Sequence, residues 1–98
     1  MRSPAGLQAE GKRLWTAITG VFDLSNDPHK RHILTQACRV VDIVAELDEA
    51  AAEAPLIVLG SMKQPVISPY IAEARVQRAL LAQLLARLNF EEFREDED

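Results

Sequence analysis

The longest uninterrupted stretch of the chain most constrains its fold: no glycine or proline occurs between Pro28 and about Ala54. Apolar residues recur along it at alternating steps of four and three, which is the heptad pattern of helices that pack along their length. These residues are Ile33, Ala37, Val40, Val44, Leu47 and Ala51. Such a helix would be about 40 Å long, whereas a compact chain of this length has a diameter of about 33 Å. The sequence therefore predicts a helix that overhangs its own domain, with a second copy of the chain covering the exposed seam.

Two residue pairs that favour the start of a helix divide the rest of the chain. A first helix is predicted from about residue 7 to residue 22, where apolar residues recur at three- and four-residue spacing. Asp27-Pro28 then supplies a capping carboxylate and a proline at the first helical position, and Ser68-Pro69 repeats this device before a third helix that runs to about Leu88. Three helices are therefore expected.

The segment between helices two and three has a different character. Pro55 ends helix two, and Leu56–Leu59 and Val66–Ile67 are short β-type runs on either side of Gly60-Ser61. This pattern predicts a short hairpin. The expected fold is mainly α, with a three-helix core, long antiparallel helices two and three, and a short β-hairpin between them that packs on the helices.

Length and composition predict one soluble domain. The chain has 98 residues and a mass of 10.9 kDa, which leaves room for a single core. We expect residues 1–89 to form one helical domain and residues 90–98 to be a disordered acidic tail. No apolar run approaches the ~20 residues of a membrane span, and the N-terminal segment lacks the apolar core of a secretory signal. These features, with the single cysteine, favour a location inside a cell.

Charge is distributed unevenly. The segment from Phe90 contributes −5 to the net charge of −4, so residues 1–89 carry +1. Four cations, Lys12, Arg13, Lys30 and Arg31, bracket the turn between helices one and two. We expect these four to contact DNA phosphates, although scattered solubilising charge is an equally good interpretation.

No motif predicts catalysis, a metal or a cofactor. His29 and His32 are three residues apart, but a zinc site needs three or four ligands, and Cys38 lies on nearly the opposite face of the helix. Cys38 is expected to be a buried, inert thiol. The chain has no glycine-rich nucleotide-binding loop. We therefore expect no enzyme activity, no metal, no cofactor and no small-molecule substrate.

A set of residues in fixed order resembles a known family. The set comprises Gly11-Lys12-x-Leu14-Trp15, Leu24, Asp27, Ala37-Cys38, Asp42, Gly60-Ser61, Pro69, Glu73-x-Arg75 and Leu84-x-x-x-Leu88. Over about residues 11–90 this pattern resembles the small terminase subunits of tailed bacteriophages and prophages. The resemblance implies a non-catalytic, ring-forming subunit in the cytoplasm of a bacterial host, which holds double-stranded viral DNA and delivers it to the large terminase ATPase and nuclease. Relative to the fuller pattern of that family, we expect no long N-terminal arm.

The combined pattern predicts two protein-binding surfaces. A homo-oligomer larger than a dimer would assemble through helices two and three. The expected interface residues are Val40, Val44, Leu47, Ala51, Leu81 and Leu84. Phe90 and Phe93, three residues apart, could anchor the acidic tail in the large subunit, or the tail could keep the ring soluble and shield its DNA surface.

The alternative function is a helical protein-interaction or transcription-regulating DNA-binding module. A recognition helix reads bases with arginine, asparagine or glutamine side chains on one exposed face. Helix two offers only Lys30, Arg31, Gln36 and Arg39 for this purpose.

Overall fold

The computed structural model describes residues 1–54, 57–59 and 65–88. In chain order its elements are α1 (Ala9–Thr19), α2 (Pro28–Ala52), β1 (Ile57–Leu59), β2 (Pro65–Ile67) and α3 (Pro69–Leu88). The prediction of a mainly helical chain is confirmed.

Both predicted helix starts are confirmed, and the local hydrogen bonds explain them. Asp27 Oδ1 accepts from the Lys30 backbone N–H at 3.0 Å, and Pro28 occupies the first turn of α2. Ser68 Oγ accepts from the Tyr70 N–H at 3.3 Å at the start of α3. Each hydroxyl or carboxylate satisfies a backbone donor that the first helical turn leaves without a partner.

α1 is shorter than predicted at both ends. Leu7 is buried, but it lies before the first helical residue, Ala9. At the other end Gly20 terminates the helix, and Phe22 folds back so that its N–H donates to the Ile18 carbonyl at 2.9 Å. The apolar periodicity of this segment therefore includes residues that pack against the core but lie outside the helix.

β1 and β2 pair antiparallel in a two-stranded ladder. Ile57 pairs with Ile67, and Leu59 pairs with Pro65. The expected turn at Gly60-Ser61 and the start of the first run at Leu56 lie outside the described residues. The complete hairpin stays a prediction.

The buried core lies at one end of the α2–α3 pair. It brings together the start of α2, the end of α3, and α1 with the segments on either side of it. Its buried members are Leu7, Trp15, Leu24, Ile33, Leu34, Cys38 and Leu88. Towards the other end, Arg78 of α3 forms an exposed ion pair with Asp48 of α2. Because Leu88 meets the start of α2 and Arg78 meets its far half, α2 and α3 run antiparallel.

The heptad seam of α2 is largely covered within the single chain. Val40 and Val44 are each only 7% exposed, and α2 makes its most extensive helix contact with α3. The expectation that a second copy covers the seam at these two residues is wrong. The reason is that α3, about 30 Å long, packs back along the same face of α2.

Candidate DNA-contacting and assembly surfaces

A carboxylate of α2 caps the start of α1. Asp42 is only 8% exposed, and its two oxygens accept from the backbone N–H groups of Gln8 and Gly11, each at 2.7 Å. Gln8, the residue before α1, offers no side-chain cap of its own. The negative carboxylate also lies at the positive end of the α1 dipole. Asp42 thereby fixes where α1 begins and how it lies against α2.

Gly11 allows this close approach of the two helices. A Cβ atom at this position would lie 2.7 Å from the Cys38 carbonyl oxygen and closer still to Asp42 Oδ2. Real side chains do not tolerate such distances, so any larger residue would force the helices apart. Gly11, Cys38 and Asp42 therefore form one structural junction between α1 and α2.

Cys38 behaves as the expected buried thiol. Its side chain is fully buried in the core. Burial, with a smaller contribution from the charge of Asp42, raises the pKa of Cys38 to about 11. Because the thiolate is the reactive form, Cys38 is inert at neutral pH.

The basic residues differ in how they are held. Lys12 is exposed on α1. Arg13 is exposed and pairs with Glu10 one turn earlier, at 2.6 Å. Such an exposed pair contributes little to stability, so Arg13 can exchange this partner for a phosphate.

Arg31 has a structural role that the sequence did not indicate. Its Nη1 donates to the carbonyl oxygens of Leu24 and Ser25, both at 2.7 Å. In the same turn, Asp23 accepts from the Ser25 N–H at 3.0 Å and from its hydroxyl at 2.7 Å. These bonds hold the pKa of Asp23 below its usual value. Arg31 thus stabilises the α1–α2 turn and also carries a positive charge.

The four cations do not form one compact patch. Lys12 follows Gly11, which contacts Asp42 in the middle of α2. Lys30 lies at the start of α2, ~18 Å along the helix axis from Asp42. The expected DNA surface is therefore an extended face that spans about half of α2.

Exposed apolar side chains concentrate on β2, α2 and α3. Val76 is the most exposed of these, at 59%. The set consists of Ile43, Val66, Ile67, Tyr70, Val76, Leu80 and Leu85. Isolated exposed apolar residues are ordinary, but contiguous apolar surface marks an interaction site. Most of this set lies in the strand-bearing half of the α2–α3 pair, away from the core.

The remaining predicted interface residues are half-buried. Leu47 and Ala51 of α2 and Leu81 and Leu84 of α3 retain partial exposure, and Leu84 also packs against the core. Phe90 and Phe93, the expected docking residues, lie outside the described residues.

The structure brings no metal-binding cluster together among the described residues. No group of three or more histidine, cysteine or acidic side chains lies close enough to hold an ion there. Within the same parts of the chain, no helix is both long and apolar enough to cross a membrane.

Sequence reasoning missed the role of Asp42 because its partners are more than 30 positions away. Two signals were available. Asp42 stands next to apolar residues in α2, and Gly11 interrupts an otherwise helix-favouring segment. A glycine inside a helical pattern lowers helix propensity, and where it is kept it usually has a packing reason.

Comparison of the chain with family models, with curated proteins and with solved structures finds no significant match. The proposed function therefore rests on the surfaces described above and on the resemblance in the sequence.

Proposed function

We propose that the chain is a non-catalytic small terminase subunit of a tailed bacteriophage or prophage. It assembles as a ring-like homo-oligomer in the cytoplasm of the bacterial host. The ring binds double-stranded viral DNA and presents it to the large terminase subunit, or regulates that subunit, during genome packaging. The observation that carries the proposal is the exposed apolar surface on the half of the α2–α3 pair that lies away from the core.

Buried residues are unevenly distributed along the α2–α3 pair, and this supports assembly through its distal half, which is the half that carries the strands and lies away from the core. At the core end, α1 and the α1–α2 turn cover α2 and α3 and bury residues such as Leu34 and Leu88 completely. Towards the distal end, Tyr70 and Val76 of α3 stay exposed, as does Leu80 near the middle of the helix. Covering these side chains with neighbouring subunits would remove apolar surface from water, which is the main driving force for association. The proposed interface therefore shifts from Val40 and Val44 to this distal surface.

The α1–α2 junction supports the family resemblance. Gly11, Cys38 and Asp42 belong to the sequence pattern that resembles the small terminase subunits, and they meet at one contact. Their spacing in the pattern thus has a common physical cause, because the close approach needs a glycine and the cap needs a carboxylate.

The oligomer is tested by light scattering on purified protein. We expect a mass greater than that of a dimer of the 10.9 kDa chain. Val76→Asp and Leu80→Asp should each lower the mass, since a buried unpaired charge costs several kcal/mol. Val21→Asp is the matched control, because Val21 is 74% exposed at the opposite end of the molecule.

The outcomes separate assembly from folding. Far-ultraviolet circular dichroism should be the same for all three variants, because each changed side chain is exposed. A wild-type mass of about 11 kDa across micromolar concentrations contradicts the proposal. An oligomer that survives both α3 substitutions places the interface elsewhere.

DNA binding is tested through its dependence on salt. The logarithm of the affinity should fall with the logarithm of the salt concentration, at roughly −0.9 per phosphate neutralised. Replacing Lys12, Arg13 and Lys30 together with alanine should flatten this slope, while Arg31 is kept because it fastens the turn. A salt-insensitive or absent interaction with duplex DNA would leave only the regulatory role towards the large subunit.

The acidic tail is proposed to bind the large subunit through Phe90 and Phe93. Deleting residues 91–98 should leave the oligomer intact and abolish stimulation of the large subunit's ATPase. Phe93→Ala alone should reproduce most of this loss. If the truncated protein stimulates normally and binds DNA more tightly, the tail is an electrostatic shield instead.

A further inference from the structure

An open cleft of about 600 Å³ lies between the N-terminal segment, α1 and the start of α2. Its walls include Trp15 of α1 and Pro28 and Thr35 of α2. The Trp15 indole N–H donates to the Met1 carbonyl at 3.2 Å, which holds the N-terminal segment along one side. This size is within the usual range of ligand-binding clefts in proteins.

The ionisable side chains that line the cleft are all basic. Arg2, Arg31 and His32 line it, and no carboxylate does. Asp23 and Asp27 lie in the adjoining turn, where Asp23 accepts from Ser25 and Asp27 accepts from the Lys30 N–H. Both acids therefore have partners of their own, and the cleft offers positive charge to a ligand.

The hydroxyl groups in the cleft do not compete as donors. Ser25 Oγ donates to Asp23 at 2.7 Å, and Thr35 Oγ1 donates to the Arg31 carbonyl at 2.9 Å. A ligand in this cleft would therefore take its hydrogen bonds from the guanidinium and imidazole groups. That set of donors suits an anion and not a neutral polar molecule.

Arg31 is already oriented for this task. Its two bonds to Leu24 and Ser25 use Nη1 only, and the described residues give its Nε and Nη2 no hydrogen-bond acceptor. Those two nitrogens form the edge of a guanidinium that binds two oxygens of a phosphate side by side. Because the side chain is held in place, binding a ligand loses less conformational entropy.

We infer that this cleft is a phosphate-binding site, in which Arg31, Arg2 and His32 bind one phosphate group and Trp15 and Pro28 contact the attached sugar. The phosphate comes from the backbone of the bound DNA or from a free phosphate monoester. The first source rests on the proposed function and adds Arg2 and His32 to the DNA surface. The second does not depend on it.

The test uses the full chain and the fluorescence of Trp15, which is the only tryptophan and lines the cleft. Inorganic phosphate is titrated at constant ionic strength, and a short DNA duplex is titrated separately at several salt concentrations. The cleft variant is Arg2→Ala with His32→Ala. The matched control is Arg39→Ala with His29→Ala, which removes the same residue types from exposed positions outside the cleft.

The cleft variant should bind inorganic phosphate at least tenfold more weakly, since it loses charged hydrogen bonds, and the control should change less than twofold. With DNA, the cleft variant should also reduce the salt slope by about one for each phosphate that it no longer neutralises. Phosphate binding without DNA binding keeps the site, assigns it to a free phosphate monoester and removes the proposed DNA role. DNA binding that the cleft variant leaves unchanged overturns the DNA source. No response to phosphate, or equal weakening in both variants, overturns the cleft as a phosphate site.

Discussion

Removing the Asp42 carboxylate should destabilise the fold more than removing any exposed acid. In Asp42→Ala, the backbone N–H of Gly11 loses its acceptor inside the protein, and that of Gln8 loses its acceptor at a half-buried position. An unsatisfied buried donor costs about 1–3 kcal/mol, and loss of a helix cap costs roughly 1 kcal/mol. We therefore expect Asp42→Ala to lower the free energy of unfolding by about 2–4 kcal/mol. This is a large part of the total stability of a small domain.

Asp42→Asn divides that loss into two contributions. The asparagine keeps one oxygen acceptor, but its NH₂ group faces the second backbone donor, and the charge at the α1 dipole is gone. The charge–dipole interaction contributes about 0.3–1 kcal/mol, and up to ~2 kcal/mol when it is partly buried. The asparagine variant should consequently lie between wild type and Asp42→Ala.

Urea unfolding followed by Trp15 fluorescence measures these differences, with circular dichroism at 222 nm as the second probe. Glu49→Ala is the control, because Glu49 is an exposed carboxylate on the same helix and should change stability by less than ~0.5 kcal/mol. If Asp42→Ala costs no more than Glu49→Ala, the carboxylate does not cap α1 and its two short hydrogen bonds contribute nothing to stability.

Three further predictions follow from the same junction and turn. Gly11→Ala should lower the free energy of unfolding measured in urea by about 1–3 kcal/mol, because the alanine Cβ would overlap the Cys38 carbonyl. Alanine favours helices, so a stabilised variant would contradict this close approach. The free energy of unfolding should fall by up to ~2.7 kcal/mol as pH rises from about 9 to about 11, because the Cys38 thiol ionises at lower pH in the unfolded chain than in the folded one. Cys38→Ala should lack this pH-dependent loss, and an identical pH slope in the two proteins would contradict the prediction. Arg31→Ala should lower the free energy of unfolding by about 1–3 kcal/mol, because the Leu24 and Ser25 carbonyls lose their donor. Arg13→Ala removes only an exposed ion pair and should change it by less than ~0.5 kcal/mol. Equal thermal denaturation of the two variants would contradict a structural role for Arg31.

Local chemistry made the helix starts readable from the sequence. Asp27-Pro28 and Ser68-Pro69 each combine a side-chain acceptor with a proline, and both effects act within four residues. The burial of Cys38 was equally predictable, because it lies on the apolar flank of a long helix. These features depend on neighbours in sequence and not on the arrangement of the helices.

Contacts between different helices could not be predicted from the sequence in this way. Periodicity placed Val40 and Val44 on an apolar seam, but it could not distinguish burial by α3 from burial by another subunit. Nor could it pair Asp42 with Gly11, or assign Arg31 to the Leu24 and Ser25 carbonyls, since both contacts depend on how α1 packs on α2. The DNA contacts of the four cations stay a prediction, and the sequence did not show that Arg13 pairs with Glu10 and Arg31 with the turn carbonyls.

The position of the core at one end of the molecule also predicts how unfolding is distributed along it. Amide hydrogens near Leu34 and Leu88 should exchange with solvent only through global unfolding, because several elements enclose these residues. Amides at the start of α3, near Tyr70, should exchange through local fraying in the free subunit, since less apolar packing holds them. Assembly through Val76 would slow the second group and leave the first unchanged. The gradient of deuterium exchange rates along α3 would therefore report subunit association.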